Sequence, residues 1–585
     1  MTVLPIILLC AAVLWIAYLT YGRLLVRWLG TDAYRPTPAV EKQDGVDYCP
    51  APAPVVLGGH FTAIAAAGPI VGPILAGLLF GWVPALIWIV LGAIFIGCIH
   101  DAGSLLASVR HHARSITQVV REHISRRAYL TFLCFVWLSL IYVIIAFADV
   151  TAGTFSRLEK VASDIGTSPI TINGGAVAVG ASAYLIVSIV MGLLIRYTRI
   201  PWTILIAPAV IALGITIAYA PQVASFLTGL GLSVFDASLW QTATLAKRWD
   251  LMLLGYCFIA SIVPLWLLLQ PRGVIGATFL YATLFFGIVG ALIGGVSGAE
   301  SLAINWDRAF TGWVSESGLS LFPFLFITIA CGACSGFHSI VGSGTTSKQL
   351  KSERDIRPVA IGGMLLESMV AVLALSCVMV LATGVKTGSP DLVFAQGMAN
   401  FQSMLGIPMT FALGFGLLAF SSFVFDTLDV CTRLGRYVFQ ELTGLSGRVG
   451  GMVATLCTLL GPGLYLMMAP PEWGFRTFWT IFGTSNQLLA ALALVGVSVW
   501  LWRSGRPVWY ALLPAGFMLI STATALVMNV IAFTRQYQKA VGAGTSGAPM
   551  AVNIGVAIIL MILGAFVVIE AARVWTFSRL AARSA

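Results

Sequence analysis

The sequence predicts an all-α polytopic membrane protein with about 15 transmembrane helices. Three observations predict it. Of the 585 residues, 59% are hydrophobic and only 10% are charged, against about 25% charged in a soluble protein. Apolar runs of about 20 residues, the length a bilayer requires, recur along the chain. Lys and Arg gather in alternate connecting loops, as they do when a chain crosses the membrane many times. That distribution also accounts for the net charge of +10, so no nucleic-acid partner is expected. The ten cysteines are scattered, mostly in apolar runs, where Cys acts as a small hydrophobe. They imply no disulfide framework.

The runs lie near residues 3–27, 59–80, 83–108, 130–154, 176–196, 201–220, 249–270, 274–296, 320–343, 359–383, 407–427, 448–468, 477–502, 508–533 and 552–573. The first, Val3 to Val26, follows no basic residue and is too long for a signal-peptide core, so it reads as a retained helix. Pro221 to Arg248, between the sixth and seventh runs, is amphiphilic and expected along the membrane surface. Basic residues cluster between Arg110 and Arg127, at Arg196 and Arg199, between Lys348 and Arg357, at Arg433 and Arg436, at Arg503 and Arg506, and at Arg573, Arg579 and Arg583. Placing these in the cytoplasm lets every span alternate, with the N-terminus outside and the C-terminus inside.

With the first run set aside as an N-terminal helix (1–30), five runs fill 58–220 and five more fill 249–441. An odd number makes the second set start from the opposite face, which is an inverted-topology repeat. Residues 446–585 are then accessory helices. The first member of each set carries internal proline: Gly68-Pro69 and Gly72-Pro73 in one, Pro264 in the other. Proline removes an amide donor and clashes with the preceding turn. In hydrocarbon the freed backbone groups survive only where protein or a wet cavity satisfies them. A broken span is therefore a candidate solute site; a kink that serves packing alone is the alternative.

An ionisable residue inside a span is costly and marks function by default. His60, His100 and His338 lie in apolar runs. Counted at about 1.5 Å per residue, all three sit roughly 7–14 Å to the cytoplasmic side of their spans' centres. Asp101 shares that level. Such a set can take up and release a proton; imidazoles tied to backbone carbonyls are the competing reading. Cys331-x-x-Cys334-x-x-x-His338 has a metal-like spacing but sits in a small-residue helix without further ligands, so its cysteines read as packing residues. His111, His112 and His123 fall in the basic loop and read as solvated. In the ninth run, Ser335 and the stretch Ser343 to Ser347 before Lys348 offer hydroxyls that packing does not require. Asp149 is expected to face water. Glu367 is a weaker candidate. Asp426 and Asp429 end the eleventh run, with Arg433 at i+4 from Asp429 as a surface ion pair. Asn486 and Gln487 are expected to bond between helices. No catalytic residue, cofactor or metal is expected, and nothing marks an enzyme.

Five segments carry a family resemblance: Gly59-His60-Phe61-Thr62-Ala63-Ile64 with Gly68-Pro69-Ile70-Val71-Gly72-Pro73; Ile96-Gly97-Cys98-Ile99-His100-Asp101; Leu267-Leu268-Leu269-Gln270-Pro271-Arg272; Ser335-Gly336-Phe337-His338-Ser339 with Ser343-Gly344-Thr345-Thr346-Ser347-Lys348-Gln349; and Phe482-Gly483 with Asn486-Gln487-Leu488-Leu489-Ala490-Ala491. In these the chain resembles the CstA carbon-starvation family of bacterial inner-membrane transporters. The resemblance implies uptake of pyruvate or peptides on a cation gradient, protons before sodium. It also implies a leucine-transporter-type core of the amino acid–polyamine–organocation superfamily. On that expectation a substrate carboxylate binds at Gly68, Pro69, Gly72 and Pro73, with Ser335, Ser343, Thr345 and Thr346 lining the path. His60, His100, Asp101 and His338 carry the coupling proton, and Lys348 and Asp426 are candidate gates. An electron-transfer subunit with haem on intramembrane histidines, a solute sensor and a channel are the alternatives.

Overall fold

The computed structural model describes all residues except 45–47, 66, 162–169, 199, 237–242, 382–388, 470–473, 545 and 585. In chain order the helices are α1 (Leu4–Leu19), α2 (Tyr21–Leu29), α3 (Pro38–Glu41), α4 (Ala53–Ile64), α5 (Gly68–Phe80), α6 (Trp82–Gly92), α7 (Cys98–Arg110), α8 (Ile116–His123), α9 (Arg126–Ser156), α10 (Gly174–Tyr197), α11 (Trp202–Gly229) and α12 (Ala243–Ile262). There follow α13 (Leu269–Ser297), α14 (Leu321–Thr328), α15 (Ala330–Ala333), α16 (Gly336–Gly344), α17 (Gly362–Met379), α18 (Pro390–Ser403), α19 (Met409–Thr443), α20 (Gly447–Met468), α21 (Gly474–Arg503), α22 (Trp509–Gly542) and α23 (Ala548–Ser584). One antiparallel hairpin, Leu158–Val161 with Ile170–Asn173, departs from the all-α expectation. It flanks the polar loop predicted after the fourth run, whose tip lies outside the described residues.

Among the described residues, 12 spans are long and apolar enough to cross a membrane, and the α4–α5 pair, bent by 46°, makes up to 13. They match all but two of the predicted runs. The seventh run ends as α12 at Ile262 and resumes only at Leu269, because the residue before Pro264 is pushed out of the helical region. The ninth run is three short helices, α14, α15 and α16. The segment from Pro221 begins as a continuation of α11 rather than a separate surface element.

By internal contacts the chain divides into two compact units: 1–8, 140–309 and 373–478 form one; 9–139, 310–372 and 479–585 form the other. In the first unit α10 and α11 pair, α18 and α19 pair, and α12 lies against α19 and α20. Its core includes Phe155, Trp249, Leu253, Leu417 and Phe425. The carboxyl end of α12 is closed by arginine side chains. Arg433 donates to the carbonyls of Ala260 (2.6 Å) and Val263 (2.9 Å), and Arg436 to that of Ser261 (2.5 Å). Cations at a helix carboxyl end satisfy its orphan carbonyls. The expected Asp429–Arg433 surface pair is thereby corrected: the stop at Pro264 frees carbonyls, and Arg433 serves those.

In the second unit two interrupted elements pack on each other, α4–α5 and α14–α16. Pro69 sits at the start of α5, where a missing amide costs nothing, so it initiates the helix; Pro73 lies inside it. Gly68 and Gly72 face the break of the partner element: a Cβ on Gly68 would lie 2.4 Å from the Cys331 sulfur, and one on Gly72 2.5 Å from the Thr328 carbonyl oxygen. Gly92 and Gly97 meet Ala333 in the same way. Phe478–Arg503 of α21, read from sequence as accessory, has its whole apolar window buried.

Gly72→Ala is expected to destabilise the protein by about 1–3 kcal/mol through overpacking, read as a lower melting temperature in detergent. Gly59→Ala in α4, where a Cβ meets nothing within 4 Å, is the matched control and leaves stability equal or higher. Equal melting of the two variants would refute the close approach at Gly72.

Candidate functional site

The site in the second unit is built around backbone that α14–α16 leaves unpaired. Helix ends and breaks free carbonyls that cannot stay bare in hydrocarbon. Gln487 Nε2 donates to the Phe326 carbonyl at 3.3 Å, Trp479 Nε1 to Thr328 at 3.4 Å, and Ser368 Oγ to Gly332 at 3.3 Å. The amino end of α16 has no cap of its own. Asn486 of α21 supplies it, accepting from the Phe337 amide at 3.0 Å, while its amide group donates to Ser335 Oγ at 3.0 Å. Asn486 and Gln487 therefore bond between elements as expected.

Four ionisable side chains meet on this frame, all buried. Asp101 on α7 accepts from His100 Nδ1 at 2.7 Å and, through its other oxygen, from His338 Nδ1 on α16 at 2.9 Å. His338 Nε2 lies 3.2 Å from Glu367 Oε2 on α17. A π-helical turn, Ala93–Gly97, immediately precedes α7, and a second, Arg357–Ile361, precedes α17. Such turns insert a residue and recur at functional sites. Here they sit just ahead of His100–Asp101 and of Glu367.

Proton counting defines what this chain of groups can do. A carboxylate only accepts, so the Nδ1 atoms that face Asp101 each carry a hydrogen. A neutral His338 would then turn a bare lone pair toward a second carboxylate. One extra proton must sit on the His338–Glu367 pair, making either an imidazolium beside a carboxylate or an imidazole beside a carboxylic acid. The arrangement can seat that proton on either His338 or Glu367. His60 is not hydrogen-bonded into it: its Nδ1 pairs with Thr346 Oγ1 at 2.9 Å. His60 Nε2, His100 Nε2 and Ser104 Oγ are buried with no hydrogen-bond partner among the described residues, the condition that buried polar groups in folded proteins usually avoid.

The remaining predicted residues are placed as follows. Ser343 Oγ donates to Ser339 O at 2.6 Å and accepts from the Ile116 amide; Thr345 Oγ1 donates to Val341 O at 2.9 Å. These hydroxyls serve backbone rather than facing one another. The Lys348 ammonium lies 5.6 Å from the Tyr48 ring centre. Its segment is pinned by backbone bonds from Cys49 to Lys348 and from Ala51 to Gln349. Cys331 packs against Gly68. The reading of His111 and His123 as solvated is corrected: their Nε2 atoms lie 2.7 Å apart. Burial first, then the charges of His111 and Arg503, push the His123 imidazole down to about 4.

Asp426 belongs to the first unit, in a different cluster. Arg272, fully buried, donates through Nε to Asp426 at 2.6 Å, pairs with Asp429, and reaches Tyr256 Oη at 2.7 Å. Tyr256 in turn donates to Asp429 at 2.7 Å, and Tyr184 Oη to the Arg272 carbonyl at 3.0 Å. Arg272 and Glu367 are the two participants that sequence reasoning underweighted. Arg272 stands at the junction of two apolar runs, and Glu367 gains meaning only from its neighbour on another helix.

The fold and these clusters define a polytopic membrane protein with an ionisable interior. The family model described as "Carbon starvation protein CstA" matches residues 2–388 and 382–525, and the chain belongs to that family. It is 31% identical to "Peptide transporter CstA" of Helicobacter pylori (strain ATCC 700392 / 26695), over 88% of this chain and 80% of that protein. It is 30% identical to "Peptide transporter CstA" of Bacillus subtilis (strain 168), over 98% and 97%. To "Pyruvate/proton symporter BtsT" of Escherichia coli (strain K12) it is 30% identical, over 87% and 78%.

Arg272→Ala leaves two buried carboxylates without their cation and is expected to cost about 3–5 kcal/mol, seen as loss of monodisperse folded protein in detergent. Adding Asp426→Asn and Asp429→Asn should restore part of it. A single variant as stable as the parent would mean that the carboxylates are not charged in the folded chain.

Proposed function

We propose that this chain is a secondary active transporter importing a small carboxylate nutrient, pyruvate or a peptide, together with a proton by alternating access. The observation that carries the reading is the Asp101–His338–Glu367 arrangement: His338 Nδ1 is bonded to Asp101, and its Nε2 lies 3.2 Å from Glu367 Oε2 with neither atom otherwise partnered among the described residues, so one further proton between them is called for. The relatives named as peptide transporters and as a pyruvate/proton symporter support the cargo class and the coupling ion.

The substrate carboxylate is placed at the amino end of α5, by Gly68 and Pro69 with Gly72 and Pro73 behind them. A helix amino terminus favours an anion. His60 with Thr346 stands on the same pair of interrupted elements and orients the solute. The hydroxyls of Ser343 and Thr345 are engaged by neighbouring carbonyls and that of Ser335 by the Asn486 side chain, so they shape the path rather than ligate an ion, which favours the proton over sodium. Lys348 and the Arg272–Asp426 pair act as gates. We take the basic loops as cytoplasmic, with the N-terminus outside. The core is two mirrored repeats, whose interrupted members are α4–α5 and α14–α16 because these breaks pack together; the second repeat then opens at Leu321 instead of near residue 249.

Reconstituted vesicles with an imposed proton gradient test this. Labelled pyruvate or dipeptide should accumulate with the parent protein. His338→Ala and Glu367→Gln should lose accumulation yet still exchange labelled for unlabelled solute without a gradient. Full gradient-driven uptake by His338→Ala would remove the cluster from coupling. Absence of uptake of either solute by the parent would remove the cargo assignment.

A further inference from the structure

A second ionisable cluster lies outside the site above, where α7 ends and α8 begins. His111 is buried, and its Nδ1 donates to the Ala107 carbonyl at 2.6 Å. A carbonyl accepts only, so a neutral His111 presents Nε2 as a bare lone pair. That atom faces His123 Nε2 at 2.7 Å and Glu122 Oε2 at 3.8 Å. One ligand atom from each of His111, Glu122 and His123 lies within 4.8 Å of the others, the one such group among the described residues. His123 Nδ1 is buried with no hydrogen-bond partner among the described residues. The chain turns at His112 and Ala113 with φ of 62° and 56°, a backbone region that residues other than glycine rarely adopt. The Arg114 amide closes that turn on the His111 carbonyl at 3.2 Å, and α8 is brought back against the end of α7.

We propose that His111, His123 and Glu122 bind a borderline divalent cation, Zn²⁺ before other ions, that ties α8 to the carboxyl end of α7. Two imidazole nitrogens and one carboxylate oxygen are the ligand set of a zinc site with one open position. Bond lengths of about 2.0–2.1 Å at the tetrahedral angle would set the two nitrogens about 3.3 Å apart, a small opening of the present pair. The Ala107 carbonyl is the outer partner that metal-bound histidines use to hold their ring. Hard cations are disfavoured: Mg²⁺ and Ca²⁺ need mostly oxygen ligands, and Arg114 already holds the other Glu122 oxygen at 3.1 Å. The consequence reaches the interior. Ile116 at the start of α8 donates to Ser343 Oγ at 3.1 Å, and Ser108 Oγ to the Ser343 carbonyl at 3.2 Å. A bound ion would thus fix the ends of α7 and α16, which carry His100, Asp101 and His338. The site rests on this geometry alone and does not depend on what the protein transports.

The experiment is Zn²⁺ competition against a chromogenic chelator, using the full chain in detergent with any purification tag removed. The parent should take up one Zn²⁺ per chain at micromolar concentration, with Mg²⁺ unable to compete. His123→Gln and Glu122→Gln should each weaken binding about 10-fold or more, and His112→Ala, at an exposed position, should not. Glu122 is exposed too, so Glu122→Gln keeps the fold and the comparison stands if His123→Gln does not. No saturable uptake by the parent, or parent-like uptake by Glu122→Gln, would reduce the pair to an imidazole–imidazole hydrogen bond and overturn the assignment.

Discussion

Every peptide group freed inside the hydrocarbon must find a partner, and the second unit is arranged around that requirement. The break through Ile329 and Cys334 strips several carbonyls and one helix amino end of intrahelical bonds. Their partners come largely from one face of α21. Trp479, Gly483, Asn486 and Gln487 recur at the helical repeat, three donating or accepting hydrogen bonds and the glycine letting the Ile327 carbonyl approach. Glycines on α5 and α6 do the rest by allowing backbone to touch backbone. The stretch is therefore irregular yet rigidly framed. This is how a membrane protein can hold non-helical backbone at depth.

The two buried ionic clusters resolve their charge differently. Around Arg272 the guanidinium pairs with both carboxylates and with the Tyr256 phenol, which in turn donates to Asp429, while Tyr184 ties down the Arg272 carbonyl. Buried pairs of this kind are strongly destabilised when one partner is removed. Around His338 the directions do not match without an added proton. The first cluster pairs its carboxylates with a cation of its own; the second needs the added proton.

Much of this was legible in the residues. Ionisable groups in apolar runs singled out His100, Asp101 and His338, and all three meet. His60 was grouped with them by depth, but depth along a helix does not give the direction of a side chain, and His60 faces Thr346. Glu367 and Arg272 were discounted because nothing local distinguishes them; their partners come from distant segments. The seventh and ninth runs read as continuous helices but are interrupted, because hydropathy measures apolarity, not continuity. Pro264 warned of the first interruption. The second has no proline at Ile329 or Cys334 and is held open by contacts with α5, α6 and α21. The pair His111–His123 was misread because a basic, polar loop gave no sign that a left-handed turn folds it back on itself.

The π turn at Ala93–Gly97 makes the helix through Trp82 and Arg110 one residue longer than a regular rod of the same rise. That surplus residue sets the azimuth of everything after it. Wound instead as regular α turns, the same residues would carry the His100–Asp101 dipeptide about 100° around the axis, away from His338, with no change in composition. The orientation of the Asp101 carboxylate is thus written in a count of residues rather than in the identity of any one of them.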